Sequence, residues 1–432
     1  FYLSVTERIF FRRNKMDFGL IGHPLGHSFS KEIHESLGLY TYEICDLPEE
    51  DFAKFMTEKN FRGINVTIPY KQRVIPYLDE IDETAKEIGA VNTIVNRDGR
   101  LYGYNTDLFG ISNLILKTAG DISEKTVLIL GSGGTSRTAA YAVKTLGAKK
   151  IYKATRKPDL LPDGDFEFIT YENLNKITDI TDIIINTTPV GMFPDTDCSP
   201  VDISVFKNLS TVVDAIYNPL KTKLVYAAES RNIPAQTGLY MLVSQAVKAA
   251  ELFTGEKIPE ETLNKVFSDI LRSKQNIVLT GMPGCGKTTV GKLLAEKTRK
   301  TFADTDELIE KEYGHPSKII REHGEEYFRD VESRVISDLK NTNAKVIAVG
   351  GGAVLRKENV ENLKKNGVTV FIDRDINDIQ PTNDRPLSSD RSKLKKLYDT
   401  RYPIYAAAAD ITVVSDNNAE NVTDMIIKEF SK

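Results

Sequence analysis

Gly281-Met-Pro-Gly-Cys-Gly286-Lys287-Thr288 decides the fold of the carboxy-terminal part of this chain. The stretch fits GxxxxGK[ST], follows the apolar run Gln275-Asn-Ile-Val-Leu-Thr280 and precedes a helix-compatible segment from Thr289 to Thr298. A strand, a glycine turn and a helix amino terminus in that order aim backbone N–H groups at phosphate oxygens. Gly281, Met282, Pro283, Gly284, Cys285, Gly286 and Thr289 are therefore expected around the phosphates of a nucleoside triphosphate. Lys287 reaches the β/γ-phosphates, and the Thr288 hydroxyl binds Mg2+.

Working outward, Asp304-Thr-Asp306 stands where the next strand should end, which puts two carboxylates at the crevice. Asp304 is placed to support Mg2+ or its waters, and Asp306 to accept a proton from a substrate hydroxyl. A solvated turn or helix cap is the competing reading of the pair taken alone. Further on come Arg329 in GEEYFRDVE, the glycines Gly350 to Gly352, and Arg401 in RYPIY. Two arginines and a glycine turn on one site suit a small carboxylate bearing hydroxyls, whereas either arginine alone reads as a surface charge.

Towards the amino terminus the run VLILGSGG ends in Gly131-Ser132-Gly133-Gly134 and leads into a helical stretch from Thr135 to Leu146. This is the turn of a dinucleotide-binding half-sheet, a weak signal strengthened by its flanks. At the end of the following strand, where an acid would select NAD, the chain reads Ala154-Thr155-Arg156-Lys157. Positive side chains there suit a 2′-phosphate, hence NADP, against the alternative of an exposed basic turn. Still earlier, from Phe18, short β-rich runs alternate with helix-compatible segments. HSFS (Ser28, Ser30), NVTIPYK (Asn65, Thr67, Lys71), GAVNT (Asn92) and GYNTD (Asn105, Asp107) lie at strand ends. Short polar residues with one lysine and one carboxylate suit a polyhydroxylated ring and the proton that accompanies hydride transfer to a ketone. Singly, each is an ordinary turn residue. His23, His27 and His34 lack a third ligand at metal spacing and read as locally hydrogen-bonded.

The 432 residues carry 41% hydrophobic and 27% charged side chains and a net charge of -4, ordinary for a globular chain with no footprint for nucleic acid or anionic membrane. Cys45, Cys198 and Cys285 are too dispersed for a disulfide framework or zinc site, which fits a reducing cytoplasm. No apolar run approaches bilayer length. Met16 reads as a start, and residues 1–15 as an extension of uncertain origin without secretory features.

GMPGCGKTTVGKLLAEK, DTDELIE, GEEYFRDVE, VGGGAV, DRPL and RYPIYAAAAD, in this order, resemble shikimate kinase from Gln275 onward. The resemblance implies that Asp306, Arg329, Gly351, Gly352 and Arg401 hold shikimate, with Asp306 as base for the 3-hydroxyl. Glu332, on the helical face of Arg329, would orient it. Arg385 would come from a lid and act on the transferring phosphoryl group. The run RDINDIQPTND ahead of Arg385 is shorter than the family shows and lacks an arginine for adenine. The amino-terminal set, with DAIYNPLKT and TGLYMLVSQA, resembles shikimate dehydrogenase from Asp17 to about Phe267. Lys71 and Asp107 then form the catalytic pair, and Ser28, Ser30, Thr67, Asn92, Asp107 and Gln245 bind substrate. Tyr217 lies at its edge, and Gly238 and Met241 approach the nicotinamide. Lys31 replaces the family's usual proline, and Thr155 its usual asparagine.

The expected architecture is α/β throughout: a two-lobed dehydrogenase with a Rossmann-like NADP domain, then a P-loop kinase with a parallel sheet flanked by helices. Residues 16–118 would form the substrate-binding domain, 119–237 the NADP domain, 238–273 helices returning to the substrate domain plus a linker, and 274–432 the kinase. The resemblance implies a cytoplasmic, bifunctional enzyme of chorismate and aromatic amino-acid biosynthesis, monomeric or homodimeric. It would reduce 3-dehydroshikimate to shikimate with NADPH and phosphorylate shikimate with ATP. Two alternatives stay open: a dehydrogenase fused to a weak or regulatory ATP-binding domain, and the same folds acting on quinate and another acceptor.

Overall fold

The computed structural model describes residues 16–26, 28–156, 166–379 and 391–431; Arg385, Lys157, His27 and residues 1–15 lie outside the described residues. By contacts the chain divides into two compact units. One comprises residues up to Val190, Ser199–Tyr217 and Ala227–Ile270; the other comprises Gly191–Cys198, Asn218–Tyr226 and Leu271–Lys432.

The first unit begins with a sheet whose elements are β1 (Phe18–Gly22), α1 (Ser30–Ser36), β2 (Glu43–Asp46), α2 (Glu49–Glu58), β3 (Gly63–Val66), β4 (Glu80–Ile81), α3 (Glu83–Ile88), β5 (Thr93–Arg97), β6 (Arg100–Tyr104) and α4 (Thr106–Ala119). The strand order is β2-β1-β3-β5-β6-β4. β1, β2 and β3 pair in parallel through βαβ connections, but β5 runs antiparallel to β3 and to β6. The reversal is made by Asp98 and Gly99, with φ of 53° and 84°. Two consecutive positive φ angles are what a two-residue hairpin matching strand twist requires, and an Asp-Gly pair adopts them at low cost. The hairpin brings Asn92, just before β5, beside Asn105 and Thr106, just after β6. Ile21, Ile64, Val66, Val91, Ile94 and Leu101 bury fully or nearly so beneath this sheet.

The second sheet of this unit uses β7 (Thr126–Leu130), α5 (Gly134–Thr145), β8 (Lys150–Ala154), β9 (Glu167–Ile169), β10 (Ile183–Asn186), β11 (Thr211–Asp214) and β12 (Ala235–Gln236), with α6 (Lys223–Glu229), whose residues up to Tyr226 group with the other unit, between the last two. Its order is β12-β11-β10-β7-β8-β9, parallel throughout. This is the doubly wound arrangement, and it opens a crevice where the order reverses between β7 and β10. β10 is buried at all four residues and β7 at four of five, as expected of strands covered on both faces.

Helix α7 (Leu239–Thr254) then packs against the first sheet, with Phe253 5.3 Å from Phe18. A Cβ on Gly110 of α4 would lie 2.6 Å from Met241 O, so glycine permits the close crossing of α4 and α7. Helix α8 (Glu260–Lys274) follows.

The second unit contains β13 (Asn276–Thr280), α9 (Lys287–Thr298), β14 (Thr301–Asp304), α10 (Thr305–Tyr313), α11 (Pro316–His323), α12 (Glu325–Leu339), β15 (Lys345–Ala348), α13 (Lys357–Lys364), β16 (Gly367–Asp373), α14 (Arg391–Ala408), β17 (Ile411–Val414) and α15 (Ala419–Phe430). Its sheet is parallel in the order β14-β15-β13-β16-β17. The core spans Ile277, Leu279, Val346, Val370 and Ile372 of the sheet and Val290, Leu294, Tyr405 and Ile426 of its helices. Burying each such side chain stabilises by about 1.5–3 kcal/mol before entropy is counted.

Candidate active sites

The amino-terminal candidate site is built on the carboxyl ends of β1 and β3 and the amino end of α4. Lys71 Nζ donates to Asp107 Oδ2 at 2.5 Å, joining residues 36 apart in sequence. Asn105 caps α4 by accepting the Leu108 N–H at 3.2 Å and anchors itself by donating to Ala90 O at 2.9 Å. That cap holds the first turn, and with it Asp107, against the hairpin. Asn92 accepts from the Thr106 backbone N–H at 2.7 Å, and its amide nitrogen faces Gln245 Oε1 at 3.5 Å. The Ser28 hydroxyl donates to Ser30 Oγ at 3.0 Å. Phe29, between these serines, meets the ring of Tyr217 at 5.4 Å. Thr67 follows β3, and a Cβ on Gly22 would strike its methyl group at 2.5 Å. His23 bonds Asp46 at 2.8 Å and His34 bonds Tyr40 at 2.8 Å; among the described residues no group of three potential ligands has metal-binding geometry.

At the crevice of the parallel sheet, Gly131 has φ +111°, and a Cβ there would lie 2.9 Å from Thr187 Oγ1. Gly133 and Gly134, by contrast, face open space at the amino end of α5. One glycine therefore makes the turn, and two leave room for a pyrophosphate against the helix amino terminus, so the residues fit a dinucleotide. Thr155 is buried and Arg156 exposed just beyond β8. Lys153 is buried between Phe166 and Phe168, 5.4 and 5.8 Å from their rings. Burial, aided by Arg137, holds the Lys153 ammonium below its ordinary pKa. Arg137 lies close enough to Lys153 to act on its charge, and sequence reasoning singled out neither. Arg137 was visible as the basic residue in the turn after the glycines; Lys153 gave no signal, being an isolated lysine in an apolar strand. A Cβ on Gly238 would lie 2.1 Å from Ala215 O, which fixes the start of α7 and so the placement of Met241 and Gln245.

In the second unit Gly281, Gly284 and Gly286 carry φ of +142°, +82° and +98°, a loop that only glycines follow freely. Lys287 Nζ donates to Gly281 O at 2.9 Å and to Met282 O at 3.1 Å. The Thr288 hydroxyl donates to Asp304 Oδ2 at 2.8 Å, while Asp304 Oδ1 caps α10 by accepting the Asp306 N–H at 3.0 Å. One carboxylate thus orients both the second acid and the hydroxyl at the loop, a donor set suited to Mg2+.

Beside it, Arg329 is buried on α12 and donates to Glu332 at 2.7 Å and to Glu325 at 3.2 Å. Burial pushes the Glu332 carboxyl above its ordinary value, against the pull of Arg329. Glu332 Oε1 has no hydrogen-bond partner among the described residues. Arg401 donates to Gly351 O at 2.9 Å, and the Tyr405 hydroxyl, four residues on along α14, donates to the same oxygen. Burial pushes the Tyr405 phenol up to about 12, so it stays a donor. Each glycine of the turn faces a different group. A Cβ on Gly350 would lie 2.5 Å from Glu332 Oε1 and 3.0 Å from Asp306 Oδ1. On Gly351 it would lie 2.9 Å from Pro283, and on Gly352 2.2 Å from the Arg329 guanidinium. Asp306, Arg329, Glu332, Arg401 and the turn therefore converge beside the phosphate loop. Tyr405 is the member that sequence reading missed, although its spacing from Arg401 on one helix was available. Arg374, which donates to Gly284 O at 3.4 Å, was also passed over.

Comparison with known proteins agrees with both halves. Residues 20–94 match the family model "Shikimate dehydrogenase substrate binding domain", and residues 283–431 match "Shikimate kinase". The shikimate dehydrogenase (NADP(+)) of Clostridium perfringens SM101 is 37% identical over 265 residues, covering 59% of this chain and 97% of that protein. A crystal structure of shikimate dehydrogenase 1 from Peptoclostridium difficile is 38% identical, with a TM-score of 0.55 and coverage of 59% and 97%. A chorismate mutase/shikimate 5-dehydrogenase fusion from Clostridium acetobutylicum is 37% identical, with a TM-score of 0.56 and coverage of 60% and 98%.

Proposed function

Since the chain belongs to the shikimate dehydrogenase family over 59% of its length and carries a shikimate kinase domain after that part, we propose that it is a bifunctional shikimate-pathway enzyme. The first site reduces 3-dehydroshikimate to shikimate with NADPH, and the second converts shikimate and ATP to shikimate 3-phosphate and ADP. The observation that carries this reading is the Lys71–Asp107 contact at 2.5 Å, a proton-handling pair within an amide- and hydroxyl-lined site. The Arg329–Glu332 clamp beside the phosphate loop supports the second activity.

In the first site NADPH, when bound, supplies the hydride. Lys71 gives a proton to the ketone oxygen as the alcohol forms, and Asp107 holds the ammonium in line. Ser28, Ser30, Thr67, Asn92 and Gln245 bind the ring substituents, with Tyr217 at the edge. Gly131, Ser132, Gly133 and Gly134 take the pyrophosphate, Thr155, Arg156 and Lys157 the 2′-phosphate, and Gly238 and Met241 the nicotinamide side. In the second site Arg329 and Arg401 hold the carboxylate of shikimate, with the Gly351 and Gly352 backbone alongside. Asp306 takes the proton of the attacking hydroxyl, and Lys287 and Arg385 steady the transferring phosphoryl group. Thr288 and Asp304 would hold Mg2+, which neutralises phosphate charge.

Residues 16–118 and 119–237 serve as the two lobes of the dehydrogenase, 238–273 as returning helices and linker, and 274–432 as the kinase. The protein works in the cytoplasm as a monomer or homodimer, with small molecules rather than nucleic acid or membrane as partners. Two assays test the reading: NADP+ reduction driven by shikimate, and ADP release that depends on shikimate. Dominant NAD-linked quinate oxidation would overturn the first activity. Nucleotide binding without shikimate-dependent ADP release would overturn the second.

A further inference from the structure

A buried hydrogen-bond chain runs behind the dehydrogenase site and ends on Asn92. An asparagine amide can present either its oxygen or its two N–H groups to a ligand, and which one it presents decides what it recognises. Here the choice is fixed from behind. The Thr106 backbone N–H can only donate, and it meets Asn92 Oδ1 at 2.7 Å. The Thr93 hydroxyl gives the same oxygen a second bond at 3.1 Å. Asn65 Nδ2 donates to Thr93 Oγ1 at 3.0 Å, so that hydroxyl's own proton goes to Asn92 Oδ1 or to the Thr106 hydroxyl 3.0 Å away, which itself donates to Asn92 Oδ1 at 3.3 Å. Asn65 is itself fixed, because its Nδ2 also faces the backbone carbonyl of Asn92 at 3.4 Å and a carbonyl can only accept. Its Oδ1 is thereby turned to Tyr42, whose hydroxyl donates to it at 2.7 Å.

Tyr42 has no exposed surface, and burial keeps its phenol well above the ordinary value, so it remains a donor. Its ring stacks on His34 at 3.9 Å with the planes 3° apart, and Tyr40 holds His34. Donation therefore runs from Tyr42 to Asn65 to Thr93 and on to Asn92, directly or through the Thr106 hydroxyl. Asn92 is left with its N–H groups forward, one of them 3.5 Å from Gln245 Oε1, which leaves the Gln245 amide nitrogen on the other branch of its amide.

We infer that Tyr42 is a positioning residue for substrate recognition, acting through Asn65 and Thr93 to hold Asn92 as a donor-only group that selects a ligand oxygen able to accept. The inference rests on the dehydrogenase reading of this site. It concerns binding of the hydroxy acid and not proton transfer, which belongs to Lys71 and Asp107.

The test compares wild type, Tyr42→Phe, Asn92→Ala and the double variant in shikimate-driven NADP+ reduction. Tyr42→Phe keeps the ring and its stack on His34, and removes one hydrogen bond. KM for shikimate is expected to rise about fivefold, the worth of one neutral hydrogen bond, with kcat within about twofold and KM for NADP+ unchanged. In the Asn92→Ala background the same change should have no further effect, because the relay then has nothing to position. Thr93→Ser, which keeps the hydroxyl, should retain the wild-type KM, whereas Thr93→Val should raise it as Tyr42→Phe does. Additive losses in the double variant, or a Tyr42→Phe change confined to kcat, would overturn the relay. A wild-type enzyme that does not oxidise shikimate overturns the reading of the site itself, a result the variant comparison cannot imitate.

Discussion

Lys71 sits in a loop after β3 and Asp107 in the first turn of α4, and only the fold makes them a pair. Replacing Lys71 with alanine should lower oxidoreduction by about 10²–10⁴-fold, the usual range for a lost general acid, while ADP release from added shikimate stays unchanged. Equal loss of both activities would instead point to misfolding. His34 gives a prediction of another kind. Burial pushes its pKa from 6.5 down to about 3, so between these values the unfolded chain takes up a proton that the folded chain refuses. Its contribution is complete above pH 6.5 and declines as pH falls towards 3, by up to about 1.4 kcal/mol per pH unit. Urea unfolding of the amino-terminal unit at pH 7.5 and 5.5 should show that decline, reduced in His34→Gln; the same slope in both proteins would refute it. At this scale, residues in short polar motifs were legible in the sequence. Tyr42 was not, because a buried aromatic residue just ahead of a strand looks the same whether it fills space or directs a hydrogen bond.

The two wholly parallel sheets could be read from their apolar strands, since each is sealed by helices on both faces and leaves little alternation. The mixed first sheet was harder. Its alternation of strands and helices suggested βαβ units throughout, whereas β5 and β6 form a hairpin whose only advertisement is the Asp98-Gly99 pair. Asn92 meets Thr106, the residue before Asp107, because of that reversal, so part of the site's geometry stayed hidden with it. Gly238 was singled out for the nicotinamide side, yet its part in setting where α7 starts was not legible in the sequence. Gly238→Ala would drive a methyl group into Ala215 O, a backbone atom that cannot swing aside. A destabilisation of about 1–3 kcal/mol is expected, with a fall in dehydrogenase turnover as Met241 and Gln245 shift. Thermal unfolding of the variant checks this, and a wild-type midpoint would refute it.

For the whole molecule, the proposed sequence of reactions makes the product of one site the acceptor of the other, while each site draws its groups from its own unit. The two activities should therefore separate cleanly by mutation. Given 3-dehydroshikimate, NADPH and ATP together, wild type should yield shikimate 3-phosphate. Lys287→Met should stop at shikimate with reduction within about twofold of wild type, because the lost ammonium acts only on phosphates. Lys71→Ala should form no shikimate 3-phosphate until shikimate is added. Chromatography of the products distinguishes these cases, and loss of NADPH oxidation in Lys287→Met would show that the activities are not separable.

The turn Gly350-Gly351-Gly352 places three neighbouring hydrogens against three unlike surfaces: the Glu332–Asp306 carboxylates, Pro283 of the phosphate loop, and the Arg329 guanidinium. Single methyl groups along it form a molecular ruler. On the proposed roles, alanine at 350 presses on Glu332 and the proposed base Asp306 and should register mainly in kcat, at 351 on Pro283 of the proposed nucleotide loop and hence in KM for ATP, and at 352 on Arg329 of the proposed carboxylate clamp and hence in KM for shikimate. Three adjacent codons thus resolve, one parameter at a time, functions that share a single turn of backbone.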